Sequence, residues 1–496
     1  MIAFALAMLA AVPTPAPSQT DGWTAAFALS KVETPPGIDD QVGALAFLDD
    51  GRLAVAFHRG EVFLRGRDGV WKQFAEGLHE PLGLLPDGQG ALVVMQRPEL
   101  TRLEDTDGDG RADRYRTLWD GFGMSGNYHE FAFGPARGPD GALYVALNLA
   151  SSGDGVFKEV RGAWSEIGKA NRAQMTSGKG FVARLAGRMY SRVPYRGCVM
   201  RIPDGGRGTA ELYATGFRSP DGIGFDGQGR LLVNDNQGDW RGSSPLQVVT
   251  KGSFNGHPAS LVWTPGWAQG DPLDLPVAQL ETMRTPPAAV FVHGDLSNSP
   301  TQPAVFPAAW GALAGQVVFG EMNASRLVRF VGEDIGGIHQ GALIPFMDTK
   351  ALRNGNHRLA FAPDGALHVG KTHLSWAGNN GIVRVATPRA LPPLIETVRL
   401  KSAGFEVRFT SALDRASLAP ALRSFRYKYH VAYGSPKVDE QVLTSAWSLS
   451  ADGKVLTLPL AGIREGFVHE IKLLGAKTPD GRDLLGPVAY YQVVKR

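Results

Sequence analysis

The chain has a single cysteine, Cys198, among its 496 residues, so it cannot form an internal disulfide. It also lacks a C-x-x-C-H motif, which excludes a covalently attached c-type haem. The chain has no large excess of charge of either sign, because 51 lysines and arginines nearly balance 48 acidic residues and the formal net charge is only +3. Without a basic stripe interleaved with aromatic residues, nothing indicates nucleic acid as a partner. No apolar run reaches the roughly 20 residues that a membrane-spanning helix needs.

Residues 2–11 form a short apolar run that is followed by a proline-rich segment. About ten apolar residues are typical of the hydrophobic region of a secretory signal. The usual lysine or arginine before this region is missing here. We interpret residues 1–20 as a signal peptide and therefore predict a periplasmic or secreted protein.

Glycine and proline are abundant, at 62 and 33 residues, and they mark the turns of a recurring sequence motif. The motif consists of an apolar segment that predicts a strand, a turn that usually contains Asp-Gly, and a second apolar segment that predicts another strand. Its copies are 47–55, 85–94, 133–145, 225–233 and 361–369. A repeated antiparallel hairpin of this size is typical of propeller blades. A further hairpin with a decayed turn fills the long gap before the last copy, so we predict six blades.

The predicted propeller covers residues 21–387, and residues 23–29 are expected to close the ring by completing the blade that contains 383–385. The predicted C-terminal domain covers residues 388–496: prolines at 388, 392 and 393 mark a linker, and segments within 394–496 alternate between polar and apolar positions with a period of two. This alternation is typical of a small β-sandwich. The predicted fold class is all-β: a six-bladed β-propeller with a C-terminal β-sandwich-like domain.

The repeat register places polar residues in the loops that enter the inner strands, and these loops converge at one end of a propeller's channel. They carry His79, Glu80, His129, Arg218, Asp221, His357 and Arg358. Loops between the second and third strands share this end. They carry Asn234, Asp235, Asn236, Gln237, Glu321, Asn323 and Lys371. We expect one polar pocket with a functional role for His129 and Arg218, although each residue could instead make only local turn hydrogen bonds.

A second motif has acidic residues at alternate positions around glycines. Its predicted metal ligands are Asp105, Asp107, Asp109, Asp113 and the backbone carbonyl of Arg111. Such an oxygen-rich loop suits Ca²⁺, although an Asp/Gly turn without metal has the same composition. The flanking segments predict strands, so the loop would lie on a hairpin at the propeller end opposite His129. We interpret it as the site of a structural ion.

Two segments resemble motifs of the soluble quinoprotein glucose/sorbosone dehydrogenases. Residues 126–135 (GNYHEFAFGP) resemble the segment with the general-base histidine, and residues 216–225 (GFRSPDGIGF) resemble the segment with the arginine. The runs DTDGDG at 105–110 and DNQGDW at 235–240 resemble those of sorbosone-dehydrogenase-like propellers common in planctomycetes and verrucomicrobia. The resemblance covers residues 40–496.

This resemblance implies oxidation of a sugar or related alcohol with pyrroloquinoline quinone (PQQ) and Ca²⁺ as cofactors, and an external electron acceptor. It implies that His129 is the base and that Arg218 polarises the quinone, while the loop 234–239 would hold the cofactor's Ca²⁺. Further cofactor contacts would come from His79, Glu80, Asn323, His357, Arg358 and Lys371. The chain departs from the family at Asn323, where a lysine is usual, and at Gly355 and His357, where arginines are usual.

Two other functions stay open. A Ca²⁺-dependent hydrolase or lactonase would hold its metal through carboxylates, for which Glu80, Asp221 and Glu321 are candidates. A propeller that binds carbohydrate without catalysis is the other alternative. A basic insertion over residues 155–196 is expected to overhang the mouth in each case.

Overall fold

The computed structural model describes residues 20–151, 160–167, 172, 188–373 and 378–496. The predicted signal peptide, apart from residue 20, and most of the 155–196 insertion therefore lie outside the described residues. Within the described ranges, no helix has both the length and the apolar character required to cross a membrane.

The described chain folds mainly into antiparallel strands, which confirms the all-β prediction. Six blades of four strands each follow one another around the ring. Blades one and two comprise β2 (Val42–Phe47), β3 (Leu53–Phe57), β4 (Val62–Arg65), β5 (Trp71–Ala75), β6 (Gly83–Pro86), β7 (Leu92–Met95), β8 (Leu100–Glu104) and β9 (Arg114–Trp119). Blades three and four comprise β10 (Ala132–Arg137), β11 (Leu143–Leu147), β14 (Cys198–Ile202), β15 (Glu211–Thr215), β16 (Pro220–Phe225), β17 (Leu231–Asp235), β18 (Ser244–Val249) and β19 (Ala289–Phe291).

Blades five and six comprise β20 (Pro300–Val305), β21 (Val317–Glu321), β22 (Leu327–Ile335), β23 (Ile338–Phe346), β24 (Asn356–Phe361), β25 (Leu367–Lys371), β26 (Gly381–Val385) and β1 (Leu29–Val32). A small hairpin of β12 (Ala150–Ser151) and β13 (Met189–Tyr190) lies beside blade three. The two seven-residue helices are α1 (Thr20–Ala26) and α2 (Val277–Met283). The decayed hairpin does form a blade, as predicted.

The strand that closes the ring differs from the prediction. β1 pairs with β26, with Leu29 opposite Val385, whereas most of the predicted donor 23–29 forms the end of α1. Trp23 and Phe27 stand four residues apart and are both 1% exposed. Residues at this spacing share one face of a helical turn. Both rings pack on Phe346, so this segment contributes to an aromatic core and does not add a strand.

The C-terminal strands form two packed sheets, as the sandwich prediction requires. They are β27 (Ile395–Lys401), β28 (Gly404–Phe409), β29 (Ala421–Tyr427), β30 (Lys437–Leu443), β31 (Ser448–Leu449), β32 (Val455–Pro459), β33 (Phe467–Lys472) and β34 (Val488–Val493). One sheet has the order β27-β28-β32-β31. The other is continuous with blade five, because β23 pairs with β34 in an eight-stranded sheet.

Candidate active site at the propeller mouth

Loops from blades three, four and five, with one loop of the C-terminal sandwich, enclose a cavity of about 300 Å³ that we call the mouth pocket. Of the predicted site residues, those that line it are His129, Arg218, Asn236, Gln237 and Asn323. The repeat register thus brings together residues that are nearly 200 positions apart in the chain.

Sequence reasoning missed the other lining residues, which are Tyr128, Ser219, His293, Asn298, Ser299 and Tyr433. His293, Asn298 and Ser299 lie in the loop that enters blade five. The hairpin of this blade lacks the Asp-Gly motif, so the repeat alignment did not include its entry loop. Tyr433 lies in the C-terminal sandwich, to which the propeller register does not extend. Tyr128 could have been predicted from the sequence, since it precedes His129 in the motif at 126–135.

His129 is held by a loop whose polar side chains bond back to the backbone. The Asn127 side-chain oxygen accepts from the amides of His129 (3.1 Å) and Ser151 (3.0 Å), and its nitrogen donates to the Ser151 carbonyl (2.9 Å). The Glu130 carboxylate accepts from the amide (2.8 Å) and the hydroxyl (2.7 Å) of Ser125. The GNYHEF motif therefore acts locally: its amide and carboxylate fix the backbone that presents the imidazole.

A buried cation supports this loop from below. Arg196 donates from Nε to the Gly123 carbonyl (2.9 Å), and from one terminal nitrogen to the carbonyls of Glu130 (2.9 Å) and Phe131 (3.0 Å). Burial lowers the pKa of Arg196 to about 10, so the guanidinium stays charged at neutral pH. The last residue of the basic insertion is therefore fully buried instead of overhanging the mouth.

The His129 imidazole is neutral near pH 7. Burial, followed by the charges of Arg218 and Arg97, lowers its pKa to about 4. Its ring stacks on that of Tyr128 with centroids 4.5 Å apart. Nδ1 is buried and finds no hydrogen-bond partner among the described residues. A neutral imidazole at a pocket wall can accept a proton from a ligand hydroxyl.

The guanidinium of Arg218 is fixed by a buried chain of groups. Its Nε donates to Asp239 Oδ1 (3.0 Å), and Asp239 Oδ2 accepts from the Met189 amide (2.8 Å) and pairs with His257 Nε2 (3.0 Å). His257 Nδ1 accepts from the Ala259 amide (3.3 Å), which places the ring proton on Nε2. Burial lowers the pKa of His257, so this histidine is neutral and donates to the carboxylate.

Asp239 is ionised within this chain. Burial alone would raise its pKa, but His257 and Arg218 outweigh that effect and hold the net pKa below the ordinary value. The arginine thus keeps a fixed anionic partner on the side away from the pocket. A positive charge held in this way is preorganised for an anion that develops in the pocket.

The DNQGD run explains how Arg218 reaches its position. The Asp235 carboxylate accepts from the amides of Arg218 (2.8 Å) and Ser219 (2.6 Å) and from Arg241 Nε (2.9 Å). A Cβ on Gly238 would lie only 1.9 Å from Arg218 Nε, so glycine leaves the space that the side chain occupies. Asp235 shapes the loop, Gly238 provides room, and the next residue binds the guanidinium.

Seven predicted cofactor contacts do not line the mouth pocket: His79, Glu80, Asn234, Asp235, His357, Arg358 and Lys371. His79 is exposed, and Glu80 pairs with Arg97. Asn234 is buried and donates to the Pro300 carbonyl (2.7 Å). Glu80 is therefore engaged by an arginine, and Asn234 is committed to the neighbouring blade.

The last three of these residues lie below the mouth. His357 and Arg358 belong to the inner strand β24, and both contact Asp221 Oδ1 at 3.2 Å inside the channel. Lys371 is buried, bonds to Asn356, and reaches the Arg353 carbonyl at 3.3 Å. These residues lie within strands or at their ends, and their polar groups bind other groups of the propeller instead of facing the pocket.

The three carboxylates considered for a catalytic metal are each bound elsewhere. Glu80 pairs with Arg97, and Asp221 pairs with Arg358. Glu321 is buried and accepts from the amides of Ser299 (3.1 Å) and Asn323 (2.9 Å) as well as from a serine hydroxyl. Within the described residues, these side chains do not form a common metal-binding group.

The acidic loop lies between β8 and β9, which pair as the predicted hairpin. Carboxylate oxygens of Asp105, Asp107 and Asp109 lie within 4.8 Å of one another. Asp113 instead accepts from the amide (2.9 Å) and hydroxyl (2.5 Å) of Thr106, which lowers the pKa of its carboxyl. No residue of this loop lines the mouth pocket.

Comparison with known proteins gives one family and several distant structures. A family described as a domain of unknown function (DUF7133) matches residues 66–250. No curated protein matches the chain. The chain is similar to an oxidoreductase from Thermus thermophilus described as a glucose dehydrogenase, with 19% identity, a TM-score of 0.47, and coverage of 72% of this chain and 99% of that one.

Two further solved structures show comparable similarity. The PQQ-bound aldose sugar dehydrogenase from Streptomyces coelicolor has 15% identity and a TM-score of 0.47, covering 73% of this chain and 98% of its own. A structure described as a gluconolactonase has 13% identity and a TM-score of 0.41, covering 73% and 92%. Similarity at these values does not distinguish a dehydrogenase from a lactonase. A function has to be inferred from the residues of the mouth pocket.

Proposed function

We propose that the chain is an oxidoreductase that oxidises a hydroxyl of a sugar or related alcohol bound in the mouth pocket. The observation that carries this proposal is the presence of a neutral imidazole, His129, and a fixed guanidinium, Arg218, on the walls of one pocket. Removing the hydroxyl proton requires a base and favours a nearby positive charge.

Each group has a distinct part in this reaction. His129 takes the proton of the reacting hydroxyl, since its imidazole is uncharged above about pH 5. Arg218 stabilises the negative charge that develops on oxygen, while Asp239 keeps the guanidinium in place. The amides that line the pocket, on Asn236, Gln237, Asn298 and Asn323, offer donors and acceptors for the other hydroxyls.

The resemblance also implies PQQ, and the donor set fits this cofactor only in part. A bound quinone would accept the two electrons that leave with the carbinol hydrogen. Arg218 and the amides suit quinone oxygens. However, PQQ is a tricarboxylate, and Arg218 is the single lysine or arginine among the described residues that line the pocket. Arg358 and Lys371 are bound inside the propeller, which leaves the three carboxylates without matched cations.

Reconstitution tests the proposed reaction. The protein would be incubated with Ca²⁺ and either PQQ or a short uncharged benzoquinone, and dye reduction would be followed with a panel of aldoses, ketoses and alcohols. We expect sugar-dependent dye reduction with at least one quinone. Sugar binding by calorimetry without dye reduction under either condition would contradict the proposal and favour the carbohydrate-binding alternative, to which an amide-lined pocket is also suited.

We also propose that the acidic loop 105–113 binds Ca²⁺ as a structural ion. Three clustered carboxylates on a hairpin support this proposal. Saturating Ca²⁺ is expected to raise Tm by a few degrees, because ligand at 100 times its Kd stabilises the folded state by about 2.7 kcal/mol. Differential scanning calorimetry with and without Ca²⁺ measures the shift.

The variant Asp107→Asn is expected to abolish this Ca²⁺-dependent shift. Asp452→Asn, at an exposed acidic turn of the C-terminal sandwich, is the matched control and should retain it. An equal shift in the Asp107 variant would place any bound ion elsewhere.

A further inference from the structure

We propose that Tyr433, contributed by the C-terminal sandwich, determines substrate specificity by packing its ring against the apolar face of a ring-form sugar. The inference rests on the proposed function for the class of substrate. Nothing in the repeat pattern of the propeller indicates this residue, and it lies far along the chain from His129.

The loop between β29 and β30, residues 428–436, is docked on the propeller by its backbone. The Trp240 amide donates to the His430 carbonyl (3.1 Å), and the Gly434 amide donates to the Gly238 carbonyl (2.9 Å). The Ser435 amide donates to the Gly242 carbonyl (2.9 Å). These bonds attach the docking loop, 428–436, to the same segment that positions Arg218.

Side chains reinforce this attachment. The Tyr429 hydroxyl donates to the Gly256 carbonyl, and the rings of Tyr429 and Trp240 lie 5.4 Å apart. Gly434 has φ +63°, a left-handed conformation that favours glycine, and an added Cβ would lie 3.0 Å from the Gln237 side chain. The backbone of Tyr433 is therefore fixed from both sides of the residue.

Tyr433 is nevertheless 63% exposed, and it lines the pocket. Its ring lies over the Arg218 guanidinium, with the ring centroid 5.3 Å from Cζ. An aromatic ring on a fixed backbone at the wall of a polar pocket is typical of a ligand-binding surface. The exposed part of the ring can pack against the C–H face of a sugar while Arg218 serves the reacting oxygen.

The rest of the pocket has the complementary chemistry for hydroxyl groups. Asn236 Oδ1 and Ser299 Oγ are buried beside the pocket and have no hydrogen-bond partner among the described residues. Buried polar atoms of this kind call for a partner. A pocket that offers both polar atoms and an exposed ring matches a cyclic polyol better than a straight-chain one, whose C–H groups form no single flat face.

The test compares Tyr433→Ala and Tyr433→Phe with the wild type. Binding of D-glucose, L-sorbose and the straight-chain polyol sorbitol would be measured by isothermal titration calorimetry, which needs no redox cofactor. Tyr433→Ala is expected to weaken binding of the ring sugars about fivefold to tenfold, as an aromatic contact of this kind contributes, and to reduce their preference over sorbitol. Tyr433→Phe should retain both.

Val442→Ala is the matched control, since Val442 lies on β30, adjoining the docking loop, and is 81% exposed. This variant should bind like the wild type. Unchanged ring-sugar affinity in Tyr433→Ala, or no sugar binding by the wild type, would overturn the inference. If the wild type binds ring sugars through Tyr433 but reduces no dye under the reconstitution conditions, the proposed oxidation fails while the role of Tyr433 stands.

Discussion

Replacing His129 by alanine is expected to lower kcat for sugar oxidation by about 10²- to 10⁴-fold, the range that general-base catalysis supplies. The imidazole is neutral and lines the mouth pocket, and the described lining residues include no carboxylate and one other imidazole, that of His293. Ring-sugar affinity measured by calorimetry should change much less than kcat, because the amides and Tyr433 remain.

The pH profile provides an independent measure of the same residue. Because burial and two arginines lower the pKa of His129 to about 4, its neutral form persists well below pH 6.5. We therefore expect kcat/KM to stay level from pH 7 to about pH 5 and to fall as the pH approaches 4. The folded fraction would be followed at each pH by tryptophan fluorescence, since protonation of other buried histidines favours unfolding.

His373→Ala is the control for this prediction. His373 is exposed in a loop at the same end of the propeller, and it does not line the mouth pocket. Its replacement should leave both kcat and the acid limb unchanged. A His129→Ala variant with wild-type turnover would remove this residue from the chemistry, and an acid limb near pH 6.5 would show that another group titrates.

Gly238→Ala is expected to reduce kcat by about 10²-fold, the effect of losing one preorganised donor to a developing anion. The added methyl would lie 1.9 Å from Nε and 2.2 Å from Cζ of Arg218, so the guanidinium must leave its place on Asp239. Gly238 does not have a positive φ, so its backbone accepts alanine and the effect comes from this contact.

The same variant should also raise the pKa of His129, because the nearby positive charge of Arg218 is one of the causes that lower it. Steady-state kinetics over pH 4–8 would show the acid limb at a higher pH. Gly227→Ala is the matched control, since its Cβ would have no neighbour within 4 Å. Equal turnover in the two variants would mean that the position of Arg218 does not matter.

The propeller and its mouth could be predicted because each repeat is recognisable from residues that are neighbours in the sequence. Each Asp-Gly turn favours a hairpin, and successive similar hairpins bury their apolar faces by stacking on one another. His129 and Arg218 both lie in loops that enter inner strands, four residues before Phe133 and seven before Phe225, so their convergence follows from the ring. The same counting failed for His357, because it assigned to a loop a residue that lies inside β24, where Asp221 binds it.

Other features depend on tertiary contacts that no repeat encodes. Trp23 and Phe27 form a helical pair only because an aromatic core with Phe346 receives them. Tyr433 reaches the mouth pocket only because the docking loop bonds to the propeller backbone. In both cases the partner lies about 190 residues or more away in the chain, and local pattern carries no information about it.

The pairing of β23 with β34 has a consequence for folding. β23 is nine residues long and forms the outer strand of blade five, and the Gln340 side chain on it accepts from the amides of Val494 (2.8 Å) and Lys495 (2.7 Å). A propeller without β34 would present this strand as an unpaired edge, which invites association with other chains. Residues 488–495 thus cover an edge that other chains could otherwise bind, and they protect the molecule against aggregation.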